Sequence, residues 1–217
     1  MVPKIIHHIT GRKPSDLVKT CLESWKPLSA YGFTFKIWND EKIERFIKDN
    51  YGYALDAFKT ARNHAEAADI ARYLITFHYG GYYIDWDIHL ISLKLFCELG
   101  DVYKNGYLVI DPLNDTLASE HFAAKKGEIF LLRIVDDIVE TYNRGERDLM
   151  YTPQYSGPFR MKYSLSKHKY TSQQKIPVKE IFEYSYDEIR GAKEFLKSGI
   201  MVHFWEHSWL YGYTGAY

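Results

Sequence analysis

The stretch HAEAADIARYLITFHYGGYYIDWDIHLI, residues 64–91, decides how this 217-residue chain is read. Its first half is dense enough in apolar residues for a buried helix. Gly80-Gly81 breaks that helix, as glycine does just past a helix end, and Tyr82, Tyr83 and Ile84 form a short strand-prone run. The strand delivers Asp85 and Asp87 with Trp86 between them. On an extended backbone residues two apart project to the same side, so both carboxylates can reach one cation. Carboxylate oxygens suit hard ions such as Mg²⁺ and Mn²⁺, and water or substrate phosphate oxygens usually fill the remaining positions. A bare D-x-D also occurs in solvated acidic turns, so its setting matters. The helix before it carries Asp69 and Arg72 at i and i+3, on one face of an otherwise apolar segment.

The ordered pattern A-x-x-A-D-I-x-R-Y, a helix turn, then G-G-x-Y-x-D-x-D resembles the donor-site signature of glycosyltransferase family 32. Ala68, Asp69, Arg72, Tyr73, Gly80, Gly81, Tyr83, Asp85 and Asp87 all fall in place. That family holds sugar-transfer enzymes of bacterial surface-glycan clusters and yeast mannosyltransferases. Its motif is also similar to one in the glucosylating domain of large clostridial toxins. The resemblance implies an α/β fold, a single GT-A-like domain with a Rossmann-like, mostly parallel sheet flanked by helices. Residues 1–94 would form the nucleotide-sugar half and 95–217 the acceptor half with a C-terminal metal and diphosphate loop.

Working outward, PKIIHHI at residues 3–9 reads as a buried first strand, and residues 15–26 read as a helix with Leu17, Val18, Cys21, Leu22 and Trp25 at helical spacing. FTFKIW (33–38) alternates like a second strand, and Asn39-Asp40 caps a helix to about Asp49. A short helix is expected at 54–59. Strand, helix, strand, helix is the rhythm of a parallel sheet, whose ligands sit at the carboxyl ends of the strands. Farther on, 88–93 reads as continuing strand, 96–99 as a loop near a glycine, 106–111 as a strand and 114–124 as ambiguous. Residues 127–142 read as an amphipathic helix with Asp136 and Asp137 on its solvated face. After QYSGPFR, whose Gly-Pro turn opens a helix at about 159–167, 175–182 reads as a short strand and loop. GIMVHFW (199–205) is the last strand. His7 and His8, at the end of the first strand, read as structural backbone partners.

The resemblance extends to PKIIHHI, where Thr10 stands at the family's usual Trp position, to FKIWND, to SGP at 156–158, and to His203-x-Trp205-x-x-Ser208-Trp209. In relatives the His or its equivalent completes the metal site, and the Ser and Trp approach the diphosphate. By that resemblance the metal ligands are Asp85, Asp87 and His203, a mixed O/N set suited to Mn²⁺, or Mg²⁺. The catalytic group is Asp69, Arg72, Asp85 and Asp87. Donor contacts come from Ile9, Tyr83, Asp69, Arg72, Asp85, Gly157, Ser208 and Trp209. The activity implied is transfer from a UDP- or GDP-sugar to a glycan or glycolipid with retention of configuration, as in surface-polysaccharide synthesis.

Composition adds limits. Formal charge is zero, which offers no field for nucleic acid. No apolar run approaches the roughly 20 residues of a spanning helix, and the first ten residues are too short and polar for a signal peptide. Cys21 and Cys97 form no disulfide or zinc pattern. A cytoplasmic setting is expected, compatible with attachment to the inner membrane face. Aromatic residues make up 17% of the chain, driven by 19 Tyr, and ring faces suit both sugars and cores. Two rivals use less of the sequence. A phosphotransferase of the haloacid dehalogenase type wants Thr or Val where His89 sits and its aspartates after the first strand. A metal-dependent sugar-binding module would be a short all-β fold.

Overall fold

The computed structural model describes residues 1–11, 13–191 and 199–206. In chain order these form β1 (Ile5–Ile9), α1 (Asp16–Trp25), β2 (Thr34–Trp38), α2 (Asp40–Asn50), α3 (Leu55–Lys59), α4 (His64–Tyr79), β3 (Gly81–Ile84), β4 (Ile88–Leu90), α5 (Leu93–Val102), β5 (Gly106–Asp111) and β6 (Thr116–Ala124). There follow α6 (Ile129–Asn143), α7 (Thr152–Tyr155), α8 (Pro158–His168), β7 (Gln174–Pro177), α9 (Val178–Ile181), α10 (Tyr186–Gly191) and β8 (Met201–His203). Six strands make one sheet in the order β2-β1-β3-β6-β5-β7, and β4 pairs with β8 in a second, two-stranded sheet. The pairs β1–β2, β1–β3 and β5–β7 are parallel, while β3–β6 and β5–β6 are antiparallel. The fold is therefore the expected α/β class with a mostly parallel central sheet.

The two faces of that sheet bury separate cores, and the strand period of two sorts residues between them. Along β5, Leu108 and Ile110 join one cluster with Ile70, Leu74, Ile134 and Ile138 of α4 and α6. Tyr107 and Val109 join the other with Trp25, Phe96 and Ile181 of α1, α5 and α9. In β3, Tyr83 faces the first cluster and Tyr82 and Ile84 the second. Each fully buried side chain of this size stabilises by about 1.5–3 kcal/mol. Helix α4 runs through the first core with Ile70, Ala71, Tyr73, Leu74 and Ile75 inaccessible, which explains its nearly continuous apolar run.

Caps fix the helix starts. Ser15, Asn39, Asn63 and Ser92 each accept a backbone N–H from the first turn of α1, α2, α4 and α5. Ser15 is thus the cap of α1, and Pro14 immediately precedes it. Gly80 caps α4 at its C-terminus, and Gly81 starts β3 at φ +109°, where a Cβ would lie 2.4 Å from the Ile5 carbonyl oxygen. Only glycine lets β3 come this close beside β1.

Several expectations are corrected. The strand does not continue from Asp87 to Leu93: the chain turns at Asp85–Asp87, and β4 leaves the main sheet to pair with β8. Residues 96–99 are helix, within α5. Its Gly100 is no breaker, because a Cβ there would meet the Tyr82 hydroxyl at 2.5 Å, so glycine serves close helix–sheet packing. The ambiguous 114–124 segment is β6, and part of 175–182 is α9. Asp137 is not on a solvated face: it is 3% exposed and accepts hydrogen bonds from Ser164 Oγ (2.6 Å), Lys167 Nζ (2.6 Å) and His168 Nε2 (3.0 Å). It pins α8 to α6. Asp136 beside it is partly exposed and accepts from the Tyr53 hydroxyl.

Burial alone would raise the Asp137 pKa, but bonds from Lys167, Ser164 and His168 outweigh it and hold the carboxyl below the ordinary Asp value. A depressed folded-state pKa gives stability that is present above the unfolded value and lost as pH falls through the folded one. Asp137→Ala is expected to cost about 3 kcal/mol in urea unfolding at pH 7, with the deficit shrinking below about pH 4 as the wild-type carboxyl takes its proton.

Candidate active site

The end of β3 lies between β1 and β6, and the site is built there. The β3–β6 register pairs Ile84 with His121, and one step on Asp85 N–H donates to the Glu120 carbonyl (2.9 Å). Strand β3 is thus held straight to Asp85. Tight turning at Trp86 then lets Asp87 reach β8, where Phe204 N–H donates to the Asp87 carbonyl (3.1 Å) and Glu206 N–H to Asp87 Oδ2 (2.7 Å). His203 enters opposite Ile88. Asp85, Asp87 and His203 each offer a ligand atom within 4.8 Å of the others. The spacing that put two carboxylates on one side is realised, although through a turn rather than a continuous strand.

An open cavity faces this cluster, lined among others by Ile9, Asp69, Arg72, Tyr83, Gly157 and Trp205. Of the residues expected at the site, Asp69, Arg72, Asp85, Asp87, Ile9, Tyr83, Gly157 and His203 all line it. Ser208 and Trp209 lie outside the described residues. Thr10 does not line the cavity, and its hydroxyl donates weakly to the Trp38 carbonyl (3.4 Å). His7 and His8 are structural as read: their rings bond the carbonyls of Gly80 (2.8 Å) and Ile84 (2.9 Å).

Arg72 ties the wall together. Its Nη1 donates to the Ser119 carbonyl (2.7 Å), Nε lies 3.4 Å from Asp69 Oδ1, and Nη2 lies 3.5 Å from Asp85 Oδ1. The guanidinium plane sits 4.7 Å over the Tyr83 ring. Tyr83 O–H in turn donates to Asp85 Oδ1 (2.5 Å). Ser156 O–H donates to Asp69 Oδ2 (2.7 Å), so the S-G-P segment delivers a side chain to Asp69 and presents Gly157 to the cavity.

The electrostatics separate the carboxylates. Burial pushes Asp69 up to about 6, against the pull of Arg72 and Ser156. Burial and the neighbouring Asp87 also raise Asp85, with Arg72 opposing. Asp87 would rise by burial, but His203 and the Glu206 amide hold it below the ordinary value. His203 would fall by burial and is raised by Asp87, 3.4 Å from its Nε2. Two carboxylates and an imidazole facing one point form a donor set that fits Mn²⁺ or Mg²⁺.

Sequence reasoning missed Glu120 and His64 and gave Trp205, though part of the C-terminal motif, no role of its own. Glu120 sits on β6 beside Asp85 and faces the cavity; its position in a segment of undecided structure hid it. Trp205, at φ +46°, is held in a region costly for a bulky residue, with its ring 4.2 Å from the His203 ring.

Comparison with known proteins agrees with this geometry. Residues 15–103 match the family described as glycosyltransferase sugar-binding region containing DXD motif. Inositol phosphoceramide mannosyltransferase 1 of Schizosaccharomyces pombe is 25% identical over 82% of this chain and 55% of that protein. Mannosyl phosphorylinositol ceramide synthase CSH1 of Saccharomyces cerevisiae is 38% identical over 40% of this chain and 23% of its own length. The chain therefore spans about half or less of the length of these relatives. Among solved structures, PaToxG Glycosyltransferase superposes with a TM-score of 0.59 over 77% of this chain and 70% of that one, at 16% identity, a likeness of fold.

Removing Arg72 leaves buried Asp69 and part-buried Asp85 with hydroxyl donors but without their shared cationic partner. Arg72→Met is expected to destabilise by about 3–5 kcal/mol in chemical denaturation, and Arg72→Lys to recover only part of that, because an ammonium cannot span Ser119, Asp69 and Asp85 as a planar fork does.

Motif, fold and matched region agree: residues 15–103 are similar to the DXD-containing sugar-binding region of glycosyltransferases, and the likeness to glycosyltransferase family 32 stands.

Proposed function

We propose that this chain is a metal-dependent glycosyltransferase that moves a hexose from a nucleotide-sugar to a hydroxyl of a glycan or glycolipid. The observation that carries the reading is the meeting of Asp85, Asp87 and His203 at one point of a cavity that also holds Asp69 and Arg72. Asp85, Asp87 and His203 would hold Mn²⁺ or Mg²⁺. A bound ion would neutralise the departing diphosphate as a Lewis acid and orient it. In the transfer the bond from the anomeric carbon to the diphosphate oxygen breaks and its electron pair leaves with the diphosphate. A bond to the acceptor oxygen forms, and the acceptor's proton passes to the departing diphosphate or to water.

The chain's own residues supply orientation. Asp69, fixed by Ser156 and Arg72, accepts hydrogen bonds from sugar hydroxyls. Arg72 steadies Asp85 and offers its remaining N–H edge to the donor. Tyr83, Ile9 and Gly157 shape the donor side, and the expected contribution of Ser208 and Trp209 to the diphosphate completes it. The mannosyltransferase names of the relatives make a mannose donor the first to test, with a phosphoinositol-bearing lipid as acceptor. Retention of configuration belongs to the proposal on the strength of the family resemblance. So does the division into a donor half, residues 1–94, and an acceptor half, 95–217. Action at the cytoplasmic membrane face fits a lipid acceptor; among the described residues no helix is long and apolar enough to cross a membrane.

A screen of GDP- and UDP-sugars with Mn²⁺, scoring nucleotide release, tests this directly. Release is expected with one donor class, abolished by chelation and restored by Mn²⁺ at least as well as by Mg²⁺. Asp87→Asn is expected to lose activity by about a hundredfold or more while keeping its fold. Release unaffected by exhaustive chelation would refute the metal role.

Asp69 adds a pH signature. A hydrogen-bond acceptor that takes a proton near pH 6 loses its function below that value, so kcat/KM is expected to fall as pH drops through about 6. Asp69→Asn is expected to lower turnover about ten- to a hundredfold and to remove that acid limb. An unchanged limb in the folded variant would assign the titration elsewhere.

A further inference from the structure

The wall opposite Asp87 poses a problem. His203 is 4% exposed, and its Nε2 faces Asp87 Oδ1 at 3.4 Å. Its other nitrogen, Nδ1, is fully buried, and no hydrogen-bond partner serves it among the described residues. A buried, unserved ring nitrogen costs roughly 1–3 kcal/mol, so it calls for a partner. The carboxylate paired with it is Glu120, whose Oε1 lies 3.8 Å from Nδ1. A shift of about half an ångström brings the two to hydrogen-bond distance.

Three features make the pairing built rather than incidental. Glu120 is carried by the β3–β6 ladder, with its carbonyl already bonded to the Asp85 amide. Its carboxylate is only 16% exposed, a costly location for a charge without a purpose. It also stands outside the group of three whose ligand atoms converge, next to His203 Nδ1 while Asp87 is next to Nε2.

We propose that Glu120 is a positioning residue for His203: its carboxylate accepts a hydrogen bond from Nδ1–H, fixes the tautomer with Nε2 bare, and aims that lone pair at the point shared with Asp85 and Asp87. A ligating imidazole that donates its second N–H to a carboxylate is held in orientation and made more basic, and loss of such a partner typically costs ten- to a hundredfold in metal affinity. The ring stack from Trp205 restrains the same imidazole on its face. The inference rests on the metal reading of the site and deepens it.

The test is Mn²⁺ titration by calorimetry on the nucleotide-free full chain, with melting temperatures measured in chelator. Wild type, Glu120→Gln, Glu120→Ala and His203→Ala are compared. Glu120→Gln keeps an oxygen that can accept from Nδ1–H, so it is expected to bind Mn²⁺ within a few fold of wild type. Glu120→Ala is expected to bind ten- to a hundredfold more weakly, and His203→Ala at least as weakly as that. Equal large losses in Glu120→Gln and Glu120→Ala would make the Glu120 charge or a direct bond to the ion responsible and overturn the proposal. A Glu120→Ala protein that melts earlier yet binds Mn²⁺ like wild type would make Glu120 merely structural and overturn it too. Wild-type protein that binds no Mn²⁺ would refute the metal reading itself, a result distinct from either.

Discussion

The structure depends on holding several like charges together at one strand end. Asp69, Asp85, Asp87, Glu120 and Glu206 line the same cavity as Arg72, His64 and His203. Carboxylates this close and this shielded from water repel and pay for desolvation. The fold answers with fixed donors: Arg72 braced on the Ser119 carbonyl, the hydroxyls of Tyr83 and Ser156, the amide of Glu206, and the imidazole of His203. These still leave more acid than base; the proposed divalent cation would answer that surplus and let the proposed diphosphate approach.

That arrangement needs strong scaffolding, and the scaffold supplies it. Strand β3 is inaccessible along its length and paired on both sides, to β1 and β6. Helix α4, which brings Asp69 and Arg72, is buried through most of its turns. Gly81, one residue past the cap of α4, lets β3 lie close beside Ile5 of β1. The turn at Trp86 and the small β4–β8 sheet then return the last part of the chain to Asp87. A site whose members come from α4, β3, β6, the α7–α8 turn and β8 is rigid because each member sits on, or directly beside, a packed element.

What the sequence revealed follows from where the information is local. The helix–Gly-Gly–strand unit was legible because apolar density, a double glycine and strand-prone residues agree within twenty positions. The aspartates, Asp69 and Arg72 were legible for the same reason, and His203 because it sits in a recognisable motif after a strand. Glu120 was not legible, since its role arises only from pairing with β3 across 35 residues of chain. Asp137 was misread because its partners Ser164, Lys167 and His168 come from another helix, so the polar residue looked like surface. Helix α5 was missed because Gly100 reads as a breaker when its contact with the Tyr82 hydroxyl is unseen. Tertiary context overrode local propensity in each case.

The central claim is that Asp85, Asp87 and His203 converge to hold one divalent ion. A crystal of the full chain grown with Mn²⁺ and a nucleoside diphosphate, with diffraction recorded on both sides of the manganese absorption edge, tests it most directly. The account predicts a single strong anomalous peak bonded to oxygens of Asp85 or Asp87, to His203 Nε2, and to the diphosphate. A diphosphate bound in the cavity with no manganese beside it, or with manganese held elsewhere, would contradict it.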